Sequence, residues 1–292
     1  MKIAYNIRCT LPNATLEQEL ELCQRAGFDS IELRIDKLRA YLQTHTRDEL
    51  QSFFRKNTLR PYAMVGVHAY KGLFGIQDDA EANQKFMDDL HFGCEILCAV
   101  GAKNMIIVPP LYTEAEKQDY DEPWKIRKEE NVRIFTVLSK LAKNYGVNLG
   151  IKIIDTPRCS VRTVTECNEI IDQIPEKNIG YTLDPFNFYL HGGNSNLESL
   201  KELYSDRIFV VHINGAEVGA CRQEQRTFPD EGAMDVERYL EILSEKGYGG
   251  PVSLDISRLD LWKENPEKVI CRAAESMRAV FCRNQLLQNK GE

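Results

Sequence analysis

Short runs of β-branched and apolar residues alternate along the chain with longer stretches whose apolar positions recur every three or four residues. The strand candidates are IAYNIR from Ile3, SIELRI from Ser30, PYAMVGV from Pro61, NMIIVP from Asn104, NLGIKII from Asn148, IGYTLD from Ile179, IFVVHIN from Ile208 and PVSLDI from Pro251. A helical stretch follows each one. Thr15 ahead of LEQELELCQRAG and Thr46 ahead of RDELQSFFRKN read as helix starts, because a hydroxyl there can accept from a free backbone N–H. Gly27, Gly146 and Gly247 fall where helices end and a left-handed cap is needed.

Strand–helix alternation with parallel strands leaves an open doubly wound sheet or a closed barrel. Eight nearly even units, with no compositional break that would mark a linker, predict the barrel: an α/β chain folded as one (β/α)8 TIM barrel over residues 1–292. No GxGxxG follows the first strand, which argues against a dinucleotide fold.

Composition narrows the function classes. A net charge of −7 argues against nucleic acid, whose phosphates are met by clustered Lys and Arg. The nine cysteines are scattered with no CxxC pair, as expected in a reducing compartment. The opening MKIAYNIRCT runs straight into a strand, and no segment approaches the ~20 apolar residues of a membrane span. The expectation is a cytoplasmic protein with no membrane partner.

Polar residues inside the strands carry the chemistry. Barrel strands normally hold Val, Ile and Leu, so a charge there needs a partner or faces the open mouth. Glu32 and Arg34, Lys152, Asp184, His212 with Asn214, and Asp255 with Ser257 all break the apolar rule near the C-terminal ends of their strands. Period-two alternation puts Glu32 with Arg34, and His212 with Asn214, on common faces. Such a cluster could bind a polyol, polarise a carbonyl and move protons. Structural readings stand beside this one: a Glu32–Arg34 ion pair, a satisfied core His212, and an Asp184 that caps the following turn.

These residues sit in LELCQRAGFDSIELR with DKLRAYL, GVNLGIKIIDTPRCSVRTV, NIGYTLDPFNFYLHGG with SNLESLK, RIFVVHING, RTFPDEGAMDV and GYGGPVSLDISR. Together they resemble the xylose isomerase-like barrels, the sugar isomerase and epimerase superfamily, and within it the inosose (2-keto-myo-inositol) isomerases of inositol catabolism. The resemblance implies one divalent metal (Mn, Zn or Mg) held by Glu, Asp, His and Glu at the ends of strands five to eight, with the glutamates shuttling protons. Carried over, those positions are Lys152, Asp184, His212 and Asp255. Lys152 and Asp255 depart from the pattern, as does Asn187, which stands where the family has His. Glu32 and Arg226 match it.

A lysine ammonium offers no lone pair to a metal. At ~4 Å and an effective dielectric near 20 it repels a divalent ion by about twice the ~4 kcal/mol of two unit charges. Metal is therefore expected to be weak or absent, with the Lys152 ammonium bridging Asp184 and Asp255 in its place. The expected protein is an isomerase or epimerase of an inosose-type keto-cyclitol, working through an enediol. Lys152 and Asp255 would be its catalytic groups, and Glu32, His212, Arg226 and Asn187 would bind substrate. A catalytically silent polyol-binding protein and a related lyase or dehydratase are the alternatives. The expected partner is one small sugar or cyclitol, and a homodimer follows by analogy.

Overall fold

Strand Lys2–Asn6 (β1) is buried at every residue after the first, as strands covered on both faces are. The same near-continuous burial marks Ser30–Arg34 (β2), Asn104–Val108 (β4), Asn148–Lys152 (β5), Ile179–Leu183 (β6), Ile208–Ile213 (β7) and Pro251–Leu254 (β8), whereas Arg60–His68 (β3) is buried at Tyr62–Met64 and Val67 and exposed at both ends. In this computed structural model, which describes residues 1–76 and 79–286, the eight strands form a closed barrel in the order β1-β8-β7-β6-β5-β4-β3-β2. Strands β8 and β7 pair in parallel with Ser253 opposite His212, and β5 and β6 do so with Lys152 opposite Thr182.

Every strand expected from the sequence is present, and the starts agree within one residue. The C-terminal ends differ. Ile7 and Arg8 leave β1 for a 3-10 turn, Ile7–Thr10, because the Asn6 side chain accepts from the Arg8 N–H at 3.0 Å and competes with the sheet ladder. Ile35 opens helix Ile35–Tyr41 directly after β2, and Asp184 caps helix Pro185–Gly192 directly after β6.

Two compact units make up the chain. One holds Met1–Tyr62, Asp184–Lys201 and Val211–Glu292, and the other holds Ala63–Leu183 and Glu202–Val210. In the first unit, helix Leu16–Ala26 (α1) starts in a reciprocal capping box between Thr15 and Gln18 and ends at Gly27, whose φ of 74° is the left-handed cap expected there. The last carbonyls of α1, at Ala26 and Gly27, accept from the Arg278 guanidinium on helix Pro266–Arg283. Among the described residues, no helix is long and apolar enough to cross a membrane.

Candidate functional site

The first unit brings Glu32, Asp184, His212, Asn214, Arg226 and Asp255 together, all at most 2% exposed. All but Glu32 stand at or just past a strand end. Glu32 is in the middle of β2, His212 is the penultimate residue of β7, and Asp184 and Asp255 follow the last residues of β6 and β8.

His212 lies between two carboxylates. Its Nδ1 is 3.1 Å from Asp255 Oδ2, and its Nε2 is 3.0 Å from Glu32 Oε1. An imidazole contacted at both nitrogens by acids has a fixed ring orientation, and its main chain is held too, since Tyr239 OH donates to the His212 carbonyl at 3.0 Å. Arg34, which shares the Glu32 face in the sequence reading, instead forks both oxygens of Asp36 at 2.9 Å. The chain turns into helix Ile35–Tyr41 immediately after Arg34, and that turn brings Asp36 within reach.

Asp184 is a helix cap and a charged partner at once. Its Oδ1 accepts from the Phe186 N–H at 3.3 Å and from Asn214 Nδ2 at 3.1 Å. Arg226 binds it with both terminal nitrogens, at 2.9 and 3.0 Å, and stacks over the Phe186 ring. Burial opposes the charge on Arg226, but Asp184 and Asp255 outweigh it and hold the guanidinium above its ordinary pKa. Arg226 arrives on a short antiparallel hairpin, Gly215–Ala216 with Arg226–Thr227. Gln223 accepts from Arg226 at 2.6 Å and donates to Asn187 Oδ1 at 3.0 Å, which joins Asn187 to the cluster. Lys152 closes β5 in the second unit, buried at 6% exposure.

The sequence reading missed two residues. Gln223 sits in a loop with no pattern, and Arg8 looked like part of the first strand. In the structure Arg8 approaches Asp255 Oδ1 at 3.8 Å.

Asp184, His212 and Asp255 each present one donor atom within 4.8 Å of the others. Two carboxylate oxygens and an imidazole nitrogen make a donor set suited to a catalytic divalent ion with open positions. The Glu32 carboxylate on the far imidazole nitrogen is the outer partner that orients a metal-binding histidine. On these observations the three residues fit a metal.

A closed eight-stranded α/β barrel with buried acids and an imidazole gathered near strand ends has the architecture of the barrel enzymes, and those side chains are of the types that move protons or hold a metal. The chain belongs to the xylose isomerase-like TIM barrel family, whose model matches residues 20–280. It is 33% identical to an inosose isomerase of Bacillus velezensis, over 96% of this chain and 97% of that one. It is also 33% identical to an inosose isomerase of Halalkalibacterium halodurans, over 99% of each. A crystal structure of the IolI protein with a bound zinc atom superposes with a TM-score of 0.85 at 29% identity, covering 97% of this chain and 99% of that one.

Proposed function

We propose that this protein isomerises an inosose-type keto-cyclitol by moving a proton through an enediol. The observation that carries this reading is the buried line Glu32–His212–Asp255, which aims one oriented carboxylate from a strand end. Near-full-length relatives named inosose isomerase support the substrate class.

Asp255 removes the proton from the carbon next to the substrate carbonyl. The C–H electrons form a C=C bond, the carbonyl π pair moves to its oxygen, and that oxygen takes a proton to give the enediol. The neighbouring hydroxyl then gives up its proton and becomes the new carbonyl, while a proton returns to the former carbonyl carbon. Atoms and electrons balance, and no cosubstrate is consumed. His212 fixes the direction of Asp255, and Glu32 fixes His212. Arg226 and Asn187 are assigned to orienting the substrate's oxygens, and Lys152 is assigned a second acid–base role on the family resemblance.

Asp184, His212 and Asp255 would hold a divalent ion, whose chemistry when bound is to polarise the substrate carbonyl. Weak affinity is part of this proposal. Arg226 already occupies both oxygens of Asp184, and Lys152 stands where the resemblance puts a Glu ligand.

The test is conversion of 2-keto-myo-inositol followed by proton NMR. Wild type is expected to form the isomeric ketone, and Asp255→Asn to lose at least about a hundredfold, as for removal of a general base. Binding of the ketone without conversion would point instead to a silent polyol-binding descendant.

A further inference from the structure

Proton removal beside a carbonyl needs positive charge where the enediolate oxygen forms. Two arginines of the first unit reach the acid cluster, and they differ in what they have left to give. Arg226 is buried, and its terminal nitrogens already bind Asp184 twice, Gln223 and the Asp255 carbonyl. Arg8 has no such commitments.

The backbone of Arg8 is held tightly while its side chain is not. Its N–H donates to Asn6 Oδ1 at 3.0 Å, and its carbonyl accepts from Trp262 Nε1 at 3.0 Å. The next residue, Cys9, is tied to the end of β8 on both sides of Asp255. Its thiol donates to the Leu254 carbonyl at 3.4 Å and accepts from the Ile256 N–H at 3.3 Å. The turn Ile7–Thr10 is thus fastened against the Asp255 backbone, and the Arg8 side chain is delivered to that carboxylate.

The guanidinium then makes only a long ion pair, 3.8 Å to Asp255 Oδ1, and donates no hydrogen bond to any described residue. Its side chain is 37% exposed, against 1% for Asp255. It therefore stands between the buried base and the outside, with its N–H fork unspent. A planar fork of fixed charge suits an oxygen that gains negative charge during the reaction.

We propose that Arg8 is a catalytic residue of this site, donating to the carbonyl oxygen of the keto-cyclitol and stabilising the enediolate as Asp255 Oδ1 takes the proton. This rests on the isomerase reading above. It adds an electrophile from the turn after β1 to a site otherwise built from β2, the ends of β6, β7 and β8, and the hairpin that carries Arg226. No proton leaves Arg8, whose charge is constant through the cycle.

Arg8→Met and Arg8→Lys test the role, since the contacts that fix the turn are made by the backbone and survive both changes. Arg8→Met is expected to keep the wild-type melting temperature and to lose about a hundredfold in kcat, the cost of one oxyanion donor, with KM changed only a few-fold. Arg8→Lys should fall between, and added guanidinium ion should restore part of the Arg8→Met rate. The infrared C=O band of bound 2-keto-myo-inositol should lie lower in wild type than in Arg8→Met. An unchanged kcat, a loss confined to KM, or the same band in both proteins would overturn the role. If wild type converts the ketone and Arg8→Met does so equally well, the Arg8 role falls and the isomerase reading stands. If wild type neither binds nor converts it, both fall.

Discussion

Glu19, on α1, is an acid with no exposure to solvent. Thr10 Oγ1 and Lys37 Nζ both donate to its Oε1 at 2.5 Å, and Oε2 has no hydrogen-bond partner among the described residues. Burial pushes its pKa up to about 7, against the pull of Lys37 and Thr10. The unfolded chain releases this proton near 4.5, whereas the folded chain keeps it to about 7. Stability from this group is therefore full below 4.5 and is lost as pH rises through about 7, by at most on the order of 3 kcal/mol. Glu19→Gln stays neutral throughout, so its denaturation midpoint should gain on wild type as pH rises across that window. Parallel curves for the two proteins would show that the Glu19 proton does not matter. The residues of the acid cluster were legible for a related reason. Asp184, His212 and Asp255 interrupt apolar strand patterns, where a charge is costly unless it is used. Arg8 gave no such signal, because its placement depends on a turn fastened to residues far away in sequence, Leu254 and Ile256.

Elements were legible where local chemistry decides them. Thr15 and Gly27 bracket α1 in the sequence and do so in the structure, where Gln18 completes the cap with Thr15. Gly27 has two reasons to be glycine: its φ is 74°, and an added Cβ would lie 2.7 Å from Arg278 Nη2, the group that caps the α1 carbonyls. Gly27→Ala is expected to destabilise by about 1–2 kcal/mol from the left-handed backbone alone, read as a lower urea midpoint. A midpoint equal to wild type would mean that the Arg278 cap and the backbone both adjust without cost. The hairpin Gly215–Ala216 with Arg226–Thr227 was not legible, since two-residue strands are too short to show a period. That is why Arg226 could be named as a site residue from the resemblance while its fork on Asp184 could not be foreseen.

At the scale of the whole molecule, the order of eight strand–helix units was enough to predict the barrel, because a parallel strand needs a crossover and eight of them close. What the order does not specify is the charge balance of the acid cluster, which depends on side chains from many strand ends. Lys152→Glu should raise the zinc content of protein purified without chelator from well below one per chain towards one, measured by plasma emission spectrometry. Equal zinc in both proteins would show that the lysine does not weaken the site. Solvent isotope exchange reads proton transfer at the carbon beside a carbonyl directly. Incubated with wild-type protein in heavy water, 2-keto-myo-inositol should return with deuterium at the carbon next to its carbonyl, and should not do so with Asp255→Asn. Recovery of unlabelled ketone from wild type, under conditions where calorimetry shows it bound, would rule out proton transfer at that carbon.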